Sequence, residues 1–68
     1  MEQIGTIIKS RRKELGITQQ ELADLAGVGI NSLLSIERGK GNPSLQTLMR
    51  ILDVLGLDLQ LKPAKSAN

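Results

Sequence analysis

The sequence predicts an all-α fold of four short helices followed by one β-strand. Three observations predict it. Apolar residues recur at helical spacing in four segments, a glycine closes each of them, and only the stretch after the fourth alternates strictly between apolar and polar. At 68 residues the chain has room for one domain and a small core.

Ile4, Ile7, Ile8 and Leu15 fall on one side of a first helix that Gly16 ends. Arg11 lands on that side too, so its stem is expected over the stripe with the guanidinium reaching solvent or a carboxylate. Thr18-Gln19-Gln20-Glu21 has the form of a capping box and opens a second helix, whose apolar face is Leu22, Ala23, Leu25 and Ala26 and whose stop is Gly27. A third helix runs from about Gly29 to Glu37, with Leu33 and Ile36 inward and Gly39 as terminator. Gly39 to Pro43 is turn chemistry, and Ser44 caps a fourth helix striped by Leu45, Leu48, Met49, Ile51, Leu52 and Leu55. Gly56 closes it. Leu57 to Lys62 then alternates at the period of a half-buried strand, and Pro63 ends it. The organisation is a helical unit over 1–56, a strand over 57–63 and a small, polar tail over 64–68 that is expected to fray.

Composition narrows the function. There is no Cys, His, Phe, Tyr or Trp, so disulfides, a zinc or other metal site and the usual nucleophile-base pairs are not expected, and neither is a cofactor. Glu21 and Asp24 share a helix face that reads as solvated. Gly39-Lys40 lacks the remaining residues of a phosphate loop, with Leu34 where its first glycine should be. An enzyme is not expected. No apolar run approaches a signal core or a membrane span, which makes a cytoplasmic protein the expectation. The net charge of +2 decides little by itself, but the cations cluster: Lys9, Arg11, Arg12 and Lys13, then Arg38 and Lys40, then Lys62 and Lys65.

The second and third helices can cross steeply only if the residues at the crossing are small and the turn tolerates a left-handed backbone. Ala23 and Gly27 meet those needs, and Val28 and Leu33 fill the space beneath. This is the pattern of a helix-turn-helix motif over about 18–37. The wheel of the third helix turns Asn31, Leu34 and Ser35 away from Leu33 and Ile36.

The run from Thr18 to Lys40, with Ala23, Gly27, Leu33, Ile36, Glu37 and Gly39 at their spacings, resembles the lambda-repressor-like, or Xre-type, helix-turn-helix family. Gly39-Lys-Gly-Asn-Pro-Ser44 and the alternating strand are similar, more narrowly, to the HipB-type antitoxin-regulators. The resemblance implies a transcriptional regulator, a repressor of its own operon, that lays the third helix in the major groove of double-stranded DNA. Gly29, Ile30, Asn31, Ser32 and Ser35 would then face base edges, and Asn31 has the amide geometry to read adenine. Ile30 departs from the family's frequent polar residue; it either meets a thymine methyl or folds back onto the core. Gln19, at the start of the second helix, inherits a phosphate grip, with Thr18 assisting or serving as a plain cap. Arg38 and Lys40 are placed to meet phosphates. Arg12 and Glu37 are implied to form a structural ion pair between the first and third helices.

A lone strand has no partner in its own chain, which points to a homodimer through Leu57, Leu59 and Leu61 on an inverted-repeat operator. The alternative is an extended tail packed on its own helices. The narrower resemblance adds a HipA-type kinase as a candidate toxin partner. The rival function is an interaction antitoxin whose main task is toxin binding, with DNA contact secondary.

Overall fold

Helices begin and end where their unpaired backbone groups find partners. The computed structural model describes residues 2–60, and among them it forms α1 (Glu2–Glu14), α2 (Gln19–Ala26), α3 (Ile30–Glu37) and α4 (Leu45–Val54). Thr18 caps α2 through the full reciprocal box: the Glu21 amide donates to the Thr18 hydroxyl at 3.0 Å, and the Thr18 amide donates to Glu21 Oε1 at 2.8 Å. Ser44 caps α4 by accepting from the Thr47 amide at 3.1 Å. At the turn, Gly27 takes up φ 69°, ψ 34°, a left-handed conformation, so that the Val28 amide can reach back to the Ala23 carbonyl at 3.0 Å.

The four helices close around Ile8 of α1, Leu22, Ala23 and Ala26 of α2, Leu33 and Ile36 of α3, and Leu48, Ile51, Leu52 and Leu55 in and after α4. α1 packs on α3, and α2 packs on both α3 and α4. Ala23, fully buried, is the small residue that lets α2 and α3 approach.

The inward faces are narrower than the apolar stripes predict. On α1 the buried ridge is Gly5, Ile8 and Arg12, whereas Ile7 is 55% exposed and Leu15 is also outside. The cause is Gly5: its missing side chain lets α1 press against the carbonyl ends of α3, next to Ile36 O and Glu37 O, and that contact sets the helix's rotation. On α2, Ala23 and Ala26 face in and Leu25 points out at 66% exposure. On α4, Leu45 and Met49 flank the buried stripe and stay exposed. Arg11 donates to the Leu55 carbonyl at 3.0 Å, capping the end of α4 rather than extending into solvent, with Glu14 only at 3.9 Å.

The expected C-terminal strand is not formed among the described residues. Residues 57–60 form no regular secondary structure, and Leu57 N–H donates back to Leu52 O at 2.9 Å. Leu57 and Leu59 are half-buried against the core, where with Ile4, Ile7, Leu48 and Leu52 they line an apolar groove between α1 and α4. Within a single chain these leucines leave water by folding onto their own helices, and without a second strand there is no ladder to join. In the single chain they are half-buried, core-facing side chains. Leu61, Lys62, Pro63 and the tail over 64–68 lie outside the described residues.

Candidate nucleic-acid interface

α3 is a short helix with one buried and one open side. Leu33, Ile36 and Glu37 hold it to the core, while Asn31 and Ser32 are exposed at its N-terminal end. Gly29 stands at its N-cap position, also exposed, and provides no side-chain cap, so the first amides of α3 have no side-chain acceptor. Ile30 is half-buried and packed on the core, the geometry of the fold-back alternative. Ser35 is half-buried beneath the following loop: Lys40 N–H donates to its carbonyl at 2.8 Å, and Gly41, at φ 79°, passes close to its Cβ.

That loop and the first turn of α4 add residues beyond those the sequence assigns to the interface. Asn42, Ser44 and Thr47, with Asn31, Ser32, Ser35 and Lys40, contribute polar groups to an open concavity of about 470 Å³ between α3 and the start of α4, which Ile36 and Pro43 also line. The signal was present in the run Asn42-Pro43-Ser44, but its position beside α3 depends on how the loop closes. Arg38 and Lys40 are both exposed next to it, so a cationic edge borders the polar face of α3.

The other border is the start of α2. Thr18 is exposed, with its hydroxyl oxygen accepting from the Glu21 amide. The Thr18 amide, and secondarily its hydroxyl, hold the fully exposed Glu21 carboxyl below its ordinary pKa. Gln19 donates one amide hydrogen to Glu37 Oε1 at 3.0 Å, which leaves its second hydrogen free for an anion at the α2 N-terminus.

Beneath this edge lies a buried polar junction. Arg12 donates through Nε to Glu37 Oε2 at 2.8 Å and through a terminal nitrogen to Glu37 Oε1 at 3.2 Å. Its other terminal nitrogen donates to the Ile17 carbonyl at 3.0 Å. Arg12 and Glu37 are each about nine-tenths buried, and the described residues hold no buried side-chain polar atom without a partner. The pair ties α1, the α1–α2 turn, α2 through Gln19, and the end of α3 to one another, so the two borders and the open face of α3 are held as a unit. Among the described residues there is no cluster of three metal-ligating side chains, and no helix is long and apolar enough to cross a membrane.

Two short helices set at a left-handed glycine turn, the second presenting an uncapped, exposed N-terminal face, define a helix-turn-helix domain. The chain belongs to the helix-turn-helix family, whose model matches residues 8–62. It is 45% identical over 51 residues to an HTH-type transcriptional regulator of Methanothermobacter thermautotrophicus, across 75% of this chain and 74% of that protein. It is 46% identical over 57 residues to the transcriptional regulator SinR of Bacillus subtilis, across 82% of this chain but 51% of SinR, so it spans about half of that relative's length. Its fold matches a crystal structure of SinR, the master regulator for biofilm formation, in complex with DNA, at a TM-score of 0.74 and 46% identity, covering 81% of this chain and 89% of that one.

Proposed function

We propose that this chain is a sequence-specific DNA-binding transcriptional regulator, acting as a repressor, that lays α3 in the major groove. The observation that carries the reading is the open face of α3: Asn31 and Ser32 stand exposed and uncapped between a cationic edge, Arg38 and Lys40, and the anion-favouring start of α2 at Thr18 and Gln19. The similarity to a domain crystallised with DNA supports it. In this reading Gly29 brings the α3 backbone close to the bases, Asn31, Ser32 and Ser35 meet base edges, and Arg38, Lys40, Thr18 and Gln19 meet phosphates.

The test separates positioning from reading. Binding to an operator selected from a random DNA pool should weaken steeply with salt, and Lys40→Ala should flatten the log–log slope by roughly 0.9 per copy while weakening all sequences alike. Asn31→Ala should instead relax preference at one base position, by about 1–3 kcal/mol per half-site. Loss of affinity in both variants with base preference unchanged would remove Asn31 from the reading role.

We further propose that two copies act together on an inverted repeat. One eight-residue helix spans only a few base pairs, and a two-fold pair doubles both the reading surface and the phosphate contacts. Selection from the random pool should return half-sites about one turn apart, roughly 34 Å, and sedimentation with DNA should give two chains per duplex. A selected site without internal symmetry, occupied by one chain, would refute this. A HipA-type kinase partner rests on the Gly39 to Ser44 resemblance, and co-purification with such a kinase is its test.

A further inference from the structure

α3 carries one apolar side chain that the core does not use. Leu34 is half-buried, yet it is absent from the apolar side chains packed against the core, which include its neighbour one turn back, Ile30. On the helix it lies three residues from Asn31, on the flank opposite Ser32 and the concavity. The outward side of α3 is thus asymmetric, with hydroxyls and an amide on one flank and a leucine on the other.

We propose that Leu34 is a specificity-determining residue that reads a thymine through its 5-methyl group, an inference that rests on the DNA-reading function above. A leucine has no donor or acceptor for a base edge or a phosphate. Among the groups that base edges present in the major groove, the thymine methyl is the apolar one, so it is the partner whose contact with Leu34 removes apolar surface from water on both sides. Ile30, the other apolar residue at this end of α3, is drawn toward the core, which leaves Leu34 as the side chain free to make this contact.

The experiment removes only the methyl. In the operator selected from the random pool, each thymine is replaced singly by deoxyuridine, and binding is measured for the wild-type chain and for Leu34→Ala. With one methyl worth about fourfold in affinity, one thymine per half-site should show that loss in the wild type. Leu34→Ala should bind the thymine operator more weakly and be indifferent to the replacement, while melting near the wild-type temperature because the side chain packs on nothing in the core. A wild-type chain indifferent to every methyl, or a Leu34→Ala variant that keeps the same sensitivity, overturns the assignment. Failure to select any preferred sequence would overturn the DNA-reading function itself, a result distinct from a selected operator in which no methyl matters.

Discussion

Glu37→Ala is expected to remove a large part of the fold's stability and to lower its melting temperature steeply. The Glu37 carboxylate accepts three hydrogen bonds, two from Arg12 and one from Gln19, in a site from which water is almost excluded. Removing it strands the Arg12 guanidinium with the Ile17 carbonyl as its remaining partner, and breaking one side of a buried pair typically costs about 3–5 kcal/mol. A domain of this size has only roughly 3–10 kcal/mol in total. Urea or thermal unfolding followed by circular dichroism checks this. The pair need not be better than an apolar one: Arg12→Met combined with Glu37→Leu should recover much of the loss, because it removes both charges at once. A Glu37→Ala chain melting within a few degrees of wild type would mean that solvent reaches Arg12 far more readily than its burial implies.

Gly5→Ala is expected to destabilise the fold although alanine is the better helix former. In an exposed helix interior that change would gain about 1 kcal/mol. Here the added Cβ would overlap the Ile36 carbonyl oxygen and sit 3.0 Å from that of Glu37, and both are backbone atoms at the end of α3. α1 would have to lift, straining the Arg12–Glu37 geometry with it. Overpacking of this kind costs about 1–3 kcal/mol, and the coupled loss at Arg12 brings the expected net to about 1–3 kcal/mol unfavourable. Gln3→Ala, at an exposed position of the same helix, is the control and should change the melting temperature little. A stabilised Gly5→Ala variant would show that α1 does not approach α3 this closely.

Both variants bear on the interface without touching it. α1 contributes no residue to the open face of α3, but through Gly5 and Arg12 it holds the end of α3 and, by way of Glu37, the Gln19 amide. Modest displacement of that junction would tilt the two borders of the interface relative to each other, so weakened DNA binding would follow from changes made on its far side.

Local chemistry is what the sequence determined by itself. The Thr18 to Glu21 box, the left-handed stop at Gly27, the Ser44 cap and the inward Leu33 and Ile36 each depend on residues within one or two turns, and each stands where the periodicity and capping rules put it. The exposed Asn31 and Ser32 follow from the same 3.6-residue count. Contacts between distant segments were decided by the tertiary structure. Gly5 leaves no hydrophobic signal, so the pattern of Ile4, Ile7, Ile8 and Leu15 centred α1 on the wrong rotation, and Arg12 read as one cation in a solvated cluster until the family resemblance paired it with Glu37. Leu25, Leu45 and Met49 read as core because a stripe shows which residues are apolar but not how wide a face the neighbouring helices cover. The alternation of Leu57 and Leu59 was real, yet a two-residue period sorts side chains to two faces and leaves open what covers the apolar one. In the single chain it is the core of the same chain that they pack against, because that surface lies within reach, whereas a ladder requires a second strand.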